Sequence, residues 1–284
     1  MKRDHQTIDV AVLGAVPTEI EPLFPLLENA RSIHVAGATF WVGHCFGHLV
    51  LAGAGGMGKV NAAVTTAALL QGLRVLEVWN IGSAGAYAES PLAVGDVLVS
   101  DTVWCGDEGI LTRNCVRSTR EIGIPMVKLE DREYYDAIPL HTQPIMEKIR
   151  GWTPAGSYKL HTDSLDNRRG LFPGDPALER PPAQGTKVNS FVTFRVFYGP
   201  SLTVGMVSGD ADTAQERSLR FGAYAENMEG SAVVQACMRF GVPVLECRGI
   251  SNRAGDRSRD RWRMEKALSH CHAVVRRWLN RGHS

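Results

Sequence analysis

A layered α/β domain built on a mostly parallel sheet is the fold class this sequence predicts, and three observations carry that expectation. Apolar runs of strand length recur at Val10–Leu13, Leu49–Ala52, Val75–Ile81, Val97–Ser100, Leu202–Val207 and Val244–Ile250. Most are unbroken rather than alternating, the pattern of strands covered on both faces. Helical stretches lie between several of them and run into a glycine, Lys59–Leu70 before Gly72 and Gly230–Phe240 before Gly241, as helix ends commonly do. Strand followed by helix, repeated, gives a parallel sheet with helices packed on it.

Taken in order, Val10–Leu13 opens the sheet and is followed by GAVPTEIE. His44 and His48 flank Cys45 and resemble metal ligands, but Gly43 and Gly47 make a hairpin turn between two strands the better reading. Leu49–Ala52 is followed by GAGGMGK, Val75–Ile81 by GSAGAY, Leu202–Val207 by SGDAD and Val244–Ile250 by SNRAG. Sheets of this kind bind ligands beyond the carboxyl ends of their strands. Glycine lets backbone approach a small molecule, and the polar residues among the glycines supply hydrogen bonds. Asp260–Leu279 reads as one amphipathic helix closing the domain. Residues 105–200 are richer in proline, charge and turn residues. They are expected to elaborate a single domain spanning 1–284 rather than to form a second one.

Composition narrows the function. A chain of 284 residues with 44% hydrophobic and 21% charged residues is an ordinary globular protein with ample core. A net charge of +1 supplies no field that would draw it to nucleic acid or to an anionic membrane. The six cysteines Cys45, Cys105, Cys115, Cys237, Cys247 and Cys271 form no CxxC pair, which fits reduced thiols and a cytoplasmic location. The amino-terminal stretch lacks a signal-peptide layout and no apolar run approaches the ~20 residues that span a bilayer.

Several motifs have competing readings. Gly53, Gly55 and Gly58 match GxGxxG after a strand, but Glu77, the acidic residue a dinucleotide site needs, lies within its strand rather than at its end. An oxidoreductase is therefore disfavoured. GAGGMGK followed by Val60 misses the P-loop hydroxyl that holds magnesium. The arginines of RGISNRAGDRSRDRWR are interrupted by Asp256 and Asp260 and read as a solvated face.

Glu19 sits just past a strand end, bracketed by Thr18 and Glu21 in a T-x-x-E capping pattern. Glu229 begins a helix in AENMEG, and Asn252 follows Ser251 after a strand. Singly, each has an ordinary capping or dipole role. Together, two carboxylates and a carboxamide at three strand ends suit cleavage of an N-ribosidic bond, whose oxocarbenium-like state needs a base for water, partners for sugar hydroxyls and stabilisation of the departing base.

These residues lie in GAVPTEIE, GMGKVNAA, NIGSAGAY, GDVLVSD, VSGDAD, AENMEG and RGISN, and in that order the segments resemble the purine nucleosidase and nucleoside phosphorylase superfamily. The matches cover about residues 8–101 and 202–270. The resemblance implies a three-layer domain with a central, mostly parallel mixed sheet flanked by helices, no cofactor and a homodimer. Within the superfamily, the ENMEG and RGISN forms resemble the futalosine hydrolases of menaquinone biosynthesis. The alternatives are a methylthioadenosine/S-adenosylhomocysteine nucleosidase, or a purine nucleoside-binding protein without catalysis.

By that resemblance Glu19 falls on the water-activating base and Glu229 on the ligand of the ribose hydroxyls, with Met228 beneath the sugar. Ser83, Ala84 and Gly85 fall on a loop lining the purine, Ser251 precedes the residue that meets N7, and Thr213 falls near the base-facing backbone. Asn252 stands where adenine-specific nucleosidases carry aspartate. A carboxamide accepts from protonated N7 and donates to a six-oxo oxygen, whereas a carboxylate only accepts, so Asn252 points to hypoxanthine. No arginine occupies the first glycine loop, and a carboxylate there repels phosphate, which favours hydrolysis over phosphorolysis. Arg132, Arg168, Arg169 and Arg195 are the cations considered for a carboxylate on the far half of the substrate.

Overall fold

A computed structural model describes residues 6–113, 116–161 and 191–281. Its first half contains β1 (Ile8–Gly14), β2 (Glu28–Val35), β3 (Ala38–Cys45), β4 (His48–Ala54), α1 (Lys59–Gly72), β5 (Val75–Ala86) and β6 (Val97–Cys105). The middle adds short hairpins β7 (Ile110–Leu111) with β8 (Val116–Arg117) and β9 (Val127–Leu129) with β10 (Arg132–Tyr134), then β11 (Ala137–Pro139), α2 (Pro144–Trp152) and β12 (Gly156–His161). The last part holds β13 (Phe191–Thr203), α3 (Ala211–Phe221), β14 (Ala225–Asn227), α4 (Gly230–Phe240), β15 (Val244–Arg253) and α5 (Met264–Arg281).

One mixed sheet runs β11-β6-β13-β14-β5-β1-β4-β3-β2, with β12 on β13 and β15 bridging β5 and β6. Its longest registers are parallel, β5 with β15 and β6 with β13, and β1 lies parallel between β4 and β5. The strands that extend or close it, β2, β3, β11 and β12, pair antiparallel. Helices α1 and α4 pack together on the sheet, while α5 lies on β15 and β5 with α2 beside it. Val10–Leu13 of β1 is an unbroken apolar run and buried throughout, whereas β15 is buried at every residue but Arg253 although Glu246 and Arg248 interrupt its apolar residues. Trp278 of α5 is fully buried, meets Trp79 edge-on at 5.7 Å and donates from Nε1 to Thr153 Oγ1 at 3.1 Å. That contact joins apolar burial to a satisfied polar tip.

The expected α/β class holds, with corrections to single elements. α4 ends as its sequence indicates, at Gly241 in a left-handed cap with φ 66. Gly72, by contrast, is the last helical residue of α1, and the extended Leu73 caps it. The run Leu202–Val207 is not all strand. β13 stops at Thr203, because Val204 N–H turns to Asn227 O and Gly205 N–H to Asp107 Oδ2. The closing helix begins at Met264, after a separate 3-10 turn at Arg259–Arg261. The hairpin at His44 and His48 is as expected, with Cys45 paired to His48 across Phe46 and Gly47 at φ 49 and 83, the positive values a tight two-residue turn demands. Among the described residues no helix is long and apolar enough to cross a membrane.

Candidate active site

Glu19 is placed by a 3-10 turn, Pro17–Glu19, that leaves the carboxyl end of β1. Thr18 does not cap it. The cap is the extended Val16, and the Glu19 carboxylate itself folds back. Its Oε2 accepts from Ala15 N–H at 2.9 Å and Val16 N–H at 3.4 Å. Its Oε1 accepts from Ser83 N–H at 2.9 Å and Ser83 Oγ at 3.0 Å. Behind it, His272 of α5 donates from Nε2 to the Glu19 carbonyl at 2.7 Å. The side chain is thus oriented from the end of β1 and from within β5 while only 5% exposed.

Gly82 explains how β5 can come so near. A Cβ there would sit 2.7 Å from Glu19 Oε1 and 2.8 Å from Arg248 Nη1, so only glycine leaves room for both charged groups. Arg248 is the one arginine of its segment that departs from the reading as a solvated face. It is 1% exposed and pairs through Nη2 with Glu246 Oε2 at 2.8 Å, while the later arginines from Arg253 onward are exposed. Burial works against the Arg248 charge. The carboxylates of Glu246, Glu229 and Glu19 outweigh it and hold the guanidinium pKa above its usual value.

Glu229 is the residue at which α4 begins. Its Oε1 accepts from Gly58 N–H at 2.7 Å, where the glycine loop after β4 turns into α1. Burial pushes its carboxyl pKa up, Arg248 and the Gly58 amide oppose this, and the charge of Glu19 adds to it. Glu19, Arg248 and Glu229 therefore form one electrostatic group. Met228 is half-buried beside it, and a small cavity lined by Gly14, Gly55, Thr65, Asn80 and Val233 reaches Glu229.

Ser83, Ala84 and Gly85 belong to β5 rather than to a loop, and they pair with Gly249, Ile250 and Asn252 of β15. Glycine-rich sequence normally weakens a strand, but here it is sandwiched by pairing and lets β15 and Glu19 approach. Asn252 likewise lies in β15, at a register shift after Ile250. Its Oδ1 accepts from Ser251 Oγ and its Nδ2 donates to Arg253 O, both at 2.8 Å. Ser251 Oγ also lies 3.2 Å from Ala84 O. Ser83, which touches Glu19, and Gly85, which borders Asn252, are two residues apart on a strand, or about 7 Å.

The structure thus brings Glu19, Ser83, Ala84, Gly85, Met228, Glu229, Ser251 and Asn252 to one stretch of β5 and its neighbours. Thr213 is separate in its bonding. It sits in the first turn of α3, where its N–H and Oγ1 both go to the capping Asp210, at 2.8 and 3.0 Å. Of the arginines considered for a distal carboxylate, Arg195 is bound to Asp96 at 2.6 Å near the start of β6, Arg132 is exposed in the β9–β10 hairpin, and Arg168 and Arg169 lie outside the described residues. Cys45, Cys105, Cys237, Cys247 and Cys271 are free and buried; Cys115 is outside the described residues. Sequence reasoning missed Glu246, Arg248, Asn227 and Gly82.

The profile of the phosphorylase superfamily matches residues 9–141 and 156–280, and the chain belongs to that superfamily. Relatives within the family include nucleosidases. A futalosine hydrolase of Thermus thermophilus is 31% identical over 224 residues, 79% of this chain and 78% of the relative. A 5′-methylthioadenosine/S-adenosylhomocysteine nucleosidase of Mycobacterium tuberculosis is 28% identical over 248 residues, 87% of each chain. The nucleosidase of that name from Colwellia psychrerythraea, solved with adenine, shares the fold with a TM-score of 0.71 at 23% identity, over 97% of this chain and 96% of that one.

Proposed function

We propose that this protein hydrolyses the N-ribosidic bond of a six-oxopurine nucleoside, converting futalosine to hypoxanthine and dehypoxanthine futalosine, a step of menaquinone biosynthesis. The observation that carries the reading is the convergence of Glu19 and Arg248 at Gly82, with Glu229 in the same electrostatic group and Asn252 one strand segment away. In this mechanism the ribose lies over Met228 and its hydroxyls donate to Glu229. These bonds strengthen as positive charge builds at the anomeric carbon. Glu19, held in place by its four donors, takes a proton from the attacking water. The purine packs along Ser83, Ala84 and Gly85, with Ser251 beside Asn252 and Thr213 toward the base-facing backbone.

Asn252 supplies the choice of base. Within the protein, its Oδ1 uses one acceptor position on Ser251 and its Nδ2 one hydrogen on Arg253 O. A carboxamide has two of each. One acceptor remains for the N–H of the departing purine, which takes its N7 proton from solvent because a carboxamide has none to give, and one donor for the six-oxo oxygen, which matches hypoxanthine and mismatches the six-amino group of adenine. The second reading, an adenine nucleosidase acting on methylthioadenosine or S-adenosylhomocysteine, is favoured by the extent of the match to relatives so named. A nucleoside-binding protein without catalysis would leave the ordered Glu19 carboxylate without a task.

We further read residues 1–284 as one cytoplasmic domain that acts as a homodimer on a small-molecule substrate without a cofactor, and not on nucleic acid or membrane. Purine release from futalosine and from methylthioadenosine by the purified protein tests the reading. Hypoxanthine from the former supports it, and adenine from the latter alone replaces it with the second.

A further inference from the structure

We infer that Glu246 and Asn227 are positioning residues, a buried pair behind the site that fixes both Glu229 and Arg248. This rests on the reading of Glu229 as the ribose ligand. Glu246 is fully buried and Asn227 is 4% exposed. Glu246 Oε1 accepts from Ser100 Oγ at 2.7 Å and Ser201 Oγ at 2.5 Å. Its Oε2 accepts from Arg248 Nη2 at 2.8 Å and Asn80 Nδ2 at 3.2 Å. Asn227 Nδ2 lies 3.4 Å from both oxygens. The donors come from β5, β6, β13, β14 and β15, so the carboxylate is the point at which five strands are held in register.

Two arms lead from it to the site. In one, the amide of Asn227 is oriented by Glu246 so that its Oδ1 accepts from Glu229 N–H at 3.1 Å and Gly230 N–H at 2.8 Å. Those bonds cap α4 and fix the residue whose carboxylate reaches Gly58. Gly230 is glycine for the same reason, since a Cβ there would overlap Glu246 Oε2. In the other arm, Glu246 holds the Arg248 guanidinium between Glu229 and Glu19. Apolar side chains in place of both Glu246 and Arg248 would fill this space without the cost of burying two charges, so stability alone does not account for an ion pair here. Orientation of the two arms does.

The test exchanges the pair. Asn227→Asp keeps the oxygen that caps α4 but turns its second oxygen, as a like charge, toward Glu246. Glu246→Gln removes the charge from Arg248 and sets an amide hydrogen against the Asn227 donor. Together they restore a donor and an acceptor between the positions. Steady-state purine release is measured for the wild type, both single variants and the double variant, each checked for a cooperative melting transition. Each single variant is expected to lose about tenfold or more in kcat with a smaller change in KM, and the double to recover most of the loss. Wild-type kcat in Asn227→Asp, or a folded double variant no better than its worse parent, overturns the inference. Should a single variant fail to fold, Ser201→Ala withdraws one donor from Glu246 and no charge. A severalfold lower kcat at unchanged KM then supports the inference, and wild-type kinetics overturn it. A wild type that releases no purine from any nucleoside defeats the functional reading instead.

Discussion

Replacing Glu19 by glutamine keeps the shape of the side chain and removes its basicity, but the surroundings do not make the change silent. Turned one way, the new amide points two hydrogens at the Ala15 and Val16 N–H groups, 2.9 and 3.4 Å from the present oxygen. Turned the other, it faces Ser83 N–H at 2.9 Å and the Ser83 hydroxyl at 3.0 Å, and the hydroxyl can rotate to accept. The second orientation is cheaper. It leaves one buried N–H unpaired and costs about 1–3 kcal/mol of stability. Loss of a positioned base lowers a reaction rate by roughly 10²–10⁴-fold, far beyond what a rotated amide does to nucleoside binding. The assay is single-turnover purine release beside thermal unfolding of the same preparation. A folded Glu19→Gln protein whose rate stays within about threefold of wild type would refute the assignment of Glu19 as the base.

Other expectations follow from the same geometry. Gly82→Ala drives a methyl between Glu19 and Arg248, 2.7 and 2.8 Å from their nearest atoms; overpacking of this kind costs about 1–3 kcal/mol, and displacement of both groups lowers kcat by roughly tenfold to hundredfold, measurable in a protein that still melts cooperatively. Asn252→Asp sets an oxygen against the Arg253 carbonyl in place of the present 2.8 Å donor bond. The kcat/KM ratio of six-oxo to six-amino nucleosides is expected to fall about ten- to hundredfold, and an unchanged ratio would remove Asn252 from base selection. Burial raises the carboxyl pKa of Glu229 above the ordinary glutamate value of 4.5. A raised folded-state pKa means that the ionised form destabilises the fold, so this group's contribution improves as pH falls through the raised value toward 4.5. Comparing urea unfolding of wild type and Glu229→Gln across that window should show the variant's advantage shrinking as the solution is acidified. A difference that does not vary with pH would contradict the assignment.

What the sequence made legible was whatever a short window decides. Burial on both faces made Val10–Leu13 of β1 an unbroken apolar run, and the left-handed cap at Gly241 marked the end of α4. Glu19, Glu229 and Asn252 were found because each lies just past a recognisable strand run or at the start of a helical one. Glu246 was not, because its donors Asn80 and Ser100 are 166 and 146 residues away in sequence. Arg248 was hidden by its company, since five neighbouring arginines are exposed and it alone meets a buried carboxylate. The glycines at 82 and 85 read as a loop because glycine weakens strands in general. Their pairing with β15 and the approach of Glu19 are tertiary facts that no local pattern carries.

The most direct test of the account is the identity of the purine released by the wild-type protein from futalosine, inosine and methylthioadenosine in phosphate-free buffer. The arrangement of Glu19, Glu229 and Asn252 predicts hypoxanthine from futalosine, with adenine release from methylthioadenosine at least about tenfold less efficient. Comparable release of adenine from methylthioadenosine would contradict the role given to Asn252, and no release from any of the three would contradict the role given to Glu19.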